Sequence, residues 1–124
     1  MSEERKGIVI VESDRMLGGI ITAILNAFGF FTMNFSSVDK LYSIIGVVLE
    51  CNLVIINTYN IQGALEVKED LHKRSGGKLK FIATCPKGDP MQQNWERYGF
   101  IGCFEESLVI DTDVLQDEIL PLVA

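Results

Sequence analysis

Ile8-Val9-Ile10-Val11 is an unbroken apolar, β-branched run with no polar residue between its members. A strand with one wet face alternates apolar and polar residues, so an unbroken run suits a strand covered on both faces. That constrains the whole chain: helices have to lie on both sides of the sheet, which calls for parallel strands joined by crossover helices.

The rest of the sequence supplies those elements in alternation. Asp14 reads as a helix cap, and Met16, Leu17, Ile20, Ile21, Ile24, Leu25 and Phe28 then recur at helical spacing until Gly29 stops the helix. FFTMNF is a second strand. SSVDKLYSIIGVVLECN follows as a helix, with Ser36 and Asp39 spaced as a capping box. Leu53 to Ile56 is the third strand, and a polar helix spans residues 62 to 74, with Glu69/Lys73 and Asp70/Arg74 at i to i+4 on a solvated face. SGGKLKFIATCP gives a turn and a fourth strand. Asp89 caps a helix with Pro90 at its first position, and FIGCF is a fifth strand. Asp111 caps the last helix, where Ile110 and Leu115 stand as a hydrophobic staple and Pro121 ends the helix near Leu120. The expectation is a (βα)5 α/β fold with a parallel sheet, the 124 residues forming a single domain.

Composition narrows the function classes. An apolar content of 48% and a mean hydropathy of +0.23 mark a globular chain, yet no apolar run reaches the ~18 residues of a membrane span. The charged N-terminus MSEERKG lacks the apolar core of a secretory signal, which points to a cytoplasmic protein. Cys51, Cys85 and Cys103 form no C-x-x-C pair and His72 is the one histidine, which disfavours a disulfide framework or a zinc site. A net charge of −6 argues against direct nucleic-acid binding by the surface as a whole. HKRSGGKLK reads as a cationic helix end, favoured there by the helix dipole.

In parallel α/β sheets, ligands sit beyond the carboxyl ends of the strands. That rim holds Glu12, Ser13 and Asp14 after the first strand, Asn57 after the third, Thr84 after the fourth, and Glu105 and Glu106 after the fifth. VESDRMLGG there has neither G-x-G-x-x-G nor a Walker lysine, so a nucleotide enzyme is disfavoured.

IVIVESD, LVIINTYN, FIAT and YGFIGCFEES together resemble the four signature segments of a response-regulator receiver domain, over nearly the whole chain. The resemblance implies the flavodoxin-like (CheY-like) three-layer sandwich with strand order 2-1-3-4-5, and a role in two-component, phosphorelay-type signalling. It also exposes departures. The phosphoacceptor aspartate matches Asn57, whose amide oxygen is a poor nucleophile. The acidic pair matches Glu12 and Ser13, with Asp14 one residue late. The lysine that neutralises a phosphoryl group matches Glu106, of opposite charge. The hydroxyl residue matches Thr84 and the switch aromatic matches Cys103.

The chain therefore resembles an atypical receiver, or pseudo-receiver: no enzyme, no required cofactor, and a pocket of Glu12, Ser13, Asp14, Asn57, Thr84 and Glu106 no longer fit for phosphorylation. Mg²⁺ would have only Glu12 and Asp14 for a weak site. Lys87 is a candidate neutraliser of Glu106. The expected output is contact with a protein partner or an effector domain, or homodimerisation. Trp95, Tyr98 and Cys103, on the face where receivers dock partners, and Leu41 and Ile45, on a helix too apolar for one buried stripe, are the candidate interface. The alternative is a small-molecule or ion sensor using the same rim, with Asn57, Thr84, Cys85 and the rim acids lining its pocket. Gly19, Ala23 and Ala27 make a small-residue stripe expected to pack inside the monomer, with a dimer seam as the other use.

Overall fold

The computed structural model describes residues 6–107 and 109–122. Residues 1–5, which carry most of the charged N-terminal segment, lie outside them. Five parallel strands, β1 (Gly7–Val11), β2 (Phe31–Phe35), β3 (Leu53–Asn57), β4 (Lys80–Cys85) and β5 (Gly102–Glu105), form one sheet in the order β2-β1-β3-β4-β5. This is the flavodoxin-like order that the resemblance implied.

The apolar runs occupy the centre. All five residues of β1 and all five of β3 are buried, consistent with strands covered on both faces. Alternate side chains divide between two cores. Ile8, Ile10, Leu53, Ile55 and Ile82 pack with Ile21 and Leu25 of α1 (Arg15–Ala27) and with Leu115 and Ile119 of the last helical segment. Val9, Val11, Val54, Ile56 and Phe81 pack against the other helix layer. That layer comprises α2 (Val38–Ser43), α3 (Ile45–Val48), α4 (Ala64–Arg74) and α5 (Met91–Asn94). Each large aliphatic side chain fully buried here contributes ~1.5–3 kcal/mol.

Local chemistry sets the element ends. The Asp14 carboxylate accepts from the backbone N–H groups of Met16 and Leu17, and Gly29 at φ 93° ends α1 as read from sequence. The Asp89 carboxylate accepts from Met91 N–H at 2.9 Å just ahead of α5, although the helix starts at Met91 with Pro90 in the cap position, one residue later than expected. Asp111 caps α6 (Thr112–Val114), which runs on through a wider turn, Leu115–Ile119, and a tight final turn, Leu120–Leu122.

Four other local expectations are corrected. The capping box at Ser36 and Asp39 does not form: Ser37 is the cap residue, with extended backbone and no side-chain cap bond. The helix expected through SSVDKLYSIIGVVLECN breaks at Ile44 (φ −128°), where β-branched residues and Gly46 supply little intrinsic helix preference. α4 begins at Ala64 rather than at residue 62, because Gly63 stands in the left-handed region at φ 72°. On that helix Arg74 pairs with Asp70 at 2.8 Å as expected, whereas Glu69 pairs with Lys68 at 3.0 Å instead of Lys73.

Candidate functional site

The sheet register assembles the rim. Val11 pairs with Ile56, so the next residues along, Glu12 and Asn57, stand side by side at the ends of β1 and β3. Asn57 pairs with Thr84. Cys85 pairs with Glu105, and the Glu106 N–H then donates to the Cys85 carbonyl at 3.0 Å, which carries the Glu106 side chain back across β4 toward Asn57.

Asn57 is wholly buried and uses all of its hydrogen-bonding capacity. Its amide Nδ2 donates to Glu12 Oε1 at 2.7 Å and to Glu106 Oε2 at 2.5 Å. Its Oδ1 accepts from the backbone N–H groups of Tyr59 (2.9 Å) and Asn60 (3.0 Å). The second Glu12 oxygen accepts from Asp14 N–H at 3.1 Å and from the Asn60 side-chain amide. A neutral amide therefore stands between two carboxylates and ties the ends of three segments together.

This geometry accounts for the residue types. A carboxylate at position 57 would have no donor for either neighbour and would add a third negative charge between them. A lysine in place of Glu106 would meet the donor side of the amide. Asn57 and Glu106 fit each other, and each departs from the receiver pattern in a way that suits the other.

The predicted pocket residues take different places. Glu12, Asn57 and Glu106 form the clamp. Thr84 is buried beside it, its carbonyl accepting from Thr58 N–H at 2.9 Å. Ser13 is exposed, and its part is a backbone N–H 3.4 Å from Asn60 Oδ1. Asp14 caps α1 through its Oδ1 and borders the groove that Glu106 also lines. Asn60 was not singled out in the sequence. Its signal is the spacing in NTYN, where a second amide three residues on returns over the strand end. No ion pair joins Lys87 to Glu106 among the described residues.

A divalent cation does not fit this arrangement. Both Glu12 oxygens accept hydrogen bonds from amides, and Asp14 faces its own helix. Among the described residues no group of three or more His, Cys, Asp or Glu side chains is placed to hold a metal.

The candidate interface residues also divide. Leu41 is fully buried in the core and is unavailable to a partner, which corrects its assignment; the exposed apolar residues of that stretch are Ile44 and Val47. Ile45 and Trp95 are half-buried against the core, while Tyr98 is exposed. Cys103 is half-buried with its Sγ 3.6 Å from that of Cys85, and burial pushes the Cys85 thiol up to about 12. Of the residues expected to line a sensor pocket, Asn57, Thr84 and Cys85 are buried, while the acids Asp14 and Glu106 border an open groove of about 340 Å³. Another open groove, of about 230 Å³, is lined by Ser13, Ser36, Ser37, Asn60 and Gln62 among others.

No family model and no curated protein matches the sequence. Solved structures do match. A CheY-like receiver domain protein from Methanospirillum hungatei JF-1 superposes with a TM-score of 0.77 at 17% identity, covering 97% of this chain and 94% of that one. A response regulator from Thermotoga maritima gives 0.78 at 12% identity, with 97% and 98% covered. A protein described as an atypical orphan response regulator with a phosphorylation-independent regulatory mechanism gives 0.70 at 16% identity, with 91% and 92% covered. The likeness is one of fold: the structural neighbours are CheY-like receiver domains, orphan and atypical ones among them. No helix among the described residues is long and apolar enough to cross a membrane.

Proposed function

We propose that the chain is a signal-transduction module of receiver fold that works independently of phosphorylation, its output being contact with a protein partner or effector domain, without catalytic turnover. The observation that carries this reading is the Asn57 amide held between Glu12 and Glu106. Phosphoryl transfer to a receiver needs a carboxylate nucleophile, a bound cation and a cationic group for the developing charge. Here the nucleophile is an amide, and the position that should be cationic carries a carboxylate bonded to it.

The test is a ¹⁵N–¹H NMR titration of the unmodified protein, first with Mg²⁺ and then with beryllofluoride, an acyl-phosphate mimic. The Asn57 side-chain amide and the Thr84 and Glu106 backbone signals are expected to stay in place. Saturable shifts at those signals would overturn the reading.

The open groove at Ser13 and Asn60 supports a second reading, a sensor for a small polar ligand, because its lining combines hydroxyl and amide groups with the Asp39 carboxylate and the apolar Val38 and Ile61. A thermal-shift screen of metals, nucleotides and quinone-like compounds checks it. Stabilisation by one compound that grows with its concentration would favour the sensor.

A further inference from the structure

Two thiols outside the clamp are in contact. Cys85 Sγ on β4 and Cys103 Sγ on β5 are 3.6 Å apart, and all three cysteines are free thiols. The register explains the contact. Cys103 pairs with Ala83, two residues before Cys85, so both side chains leave the same face of the sheet and meet on the diagonal. Cys51 is remote from both. It precedes β3, where Leu53 is level with Lys80, a full strand length from Cys85, and its own Sγ lies 3.6 Å from the Val47 carbonyl oxygen.

We propose that Cys85 and Cys103 form a redox-sensitive pair, and that its oxidation by a peroxide to a disulfide draws β5 along β4 and loosens the bond between Glu106 and Asn57.

The chemistry takes two steps. The Cys103 sulfur, half-buried on the edge strand, attacks one peroxide oxygen: the S–O bond forms, the O–O bond breaks, and a first water leaves with the thiol proton. The Cys85 sulfur then attacks the sulfenic sulfur of Cys103. The S–S bond forms, the S–O bond breaks, and a second water leaves with the Cys85 proton. Two electrons have passed from the sulfurs to the peroxide oxygens, and a dithiol reductant returns them with two protons. Burial raises both thiols, Cys85 to about 12, so thiolate is scarce and the oxidation is slow. The pair therefore registers sustained peroxide and ignores a brief pulse.

Geometry gives the bond its effect. A disulfide brings its sulfurs from the present 3.6 Å to ~2.05 Å, and a diagonal pair reaches that separation only when the strands shift. β4 has a neighbour on each side and five of its six residues are buried, whereas β5 is an edge strand of four residues, three of them half-buried. It is β5 that moves. Because Cys85 stands nearer the rim than Cys103, the movement carries β5 toward the rim and takes Glu106 with it. The Glu106 N–H bond to the Cys85 carbonyl and the Asn57 amide bond to Glu106 Oε2 lie in its path. Strain makes the disulfide easy to reduce, which suits a reversible change better than a structural link.

This inference rests on the proposed reading only for its use, as an input to the contact module in place of phosphorylation. The two fail separately: a pair that stays reduced under peroxide, with a silent beryllofluoride titration, removes the redox input and leaves the module.

The test treats the full chain with hydrogen peroxide, then counts free thiols by alkylation and intact mass after unfolding, maps the peptides, and records ¹⁵N–¹H NMR spectra. The thiol count should fall from three to one per chain, with Cys51 left free and Cys85 joined to Cys103 in the map. The Asn57 side-chain amide and Glu106 backbone signals should shift, and dithiothreitol should return them. In Cys103→Ser, a substitution at a half-buried position, the same signals should stay in place under peroxide. A thiol count that stays at three, a sulfinic acid at Cys103 without a cross-link, a link between chains, or a cross-link that leaves the Asn57 amide unmoved would overturn the proposal.

Discussion

At the scale of single residues, position 57 turns on the difference between NH₂ and O⁻. The Asn57 amide gives each flanking carboxylate a donor, and hydrogen bonds to charged groups contribute ~1.5–3 kcal/mol each. Asn57→Asp removes both and adds a third carboxylate, so we expect a loss of ~3–5 kcal/mol near neutral pH. Mg²⁺ or Ca²⁺ should return part of that stability to the variant, since three carboxylates now converge, and should affect the wild type far less. Urea unfolding of both proteins with and without the cation reads this directly; a variant as stable as the wild type would contradict the clamp. Glu12, Asn57 and Glu106 were all legible in the sequence because each closes a strand. Asp14 caps its helix as its position after the first strand implies, and Ser13 and Asp14 border the open grooves on either side of the clamp rather than joining it. Asn60 is not legible as a site residue from sequence because its partner, the Glu12 carboxylate, is 48 residues away.

At the scale of elements, periodicity and caps located the strands and α1 well, and the weak points were where intrinsic preference is low. The break at Ile44 is one. The two glycines of α1 are another. A Cβ at Gly18 would come 2.8 Å from Asn34 Oδ1 on β2, so this glycine lies where helix and strand approach closely. Gly19 faces open space, and with Ala23 and Ala27 it points outward. The stripe expected to pack inside the monomer is therefore on its surface. Gly19→Ala should stabilise the monomer by ~0.5–1 kcal/mol through helix preference alone. Chemical denaturation measures this, and a destabilised variant would show that Gly19 is already packed against something.

At the scale of the whole molecule, two groups on different elements link stability to alkaline pH. Burial, followed by its 2.5 Å hydrogen bond to Asp70, raises the Tyr42 hydroxyl to about 12, and burial raises the Cys85 thiol to about 12. Both are held in the protonated form by the fold. The stability they contribute is complete below their unfolded values, near 9 for the thiol and 10 for the phenol, and is lost as pH rises through those values toward about 12. Unfolding midpoints should therefore fall as pH rises above about 9, and Tyr42→Phe should lessen the fall above about 10. Midpoints of wild type and variant that decline in parallel would contradict the Tyr42 contribution.

The sequence by itself determined the secondary elements and their alternation, because β-branched runs, helical spacing and capping residues act within a few positions of one another. Its resemblance to receivers supplied the strand order that periodicity could not. Only the tertiary structure decided which rim residues meet and which faces remain open. Glu12 reaches Asn57 across 45 residues and Glu106 across 49, and such contacts exist only once the strands are in register. A shift of one residue in that register would turn these side chains to the opposite face of the sheet.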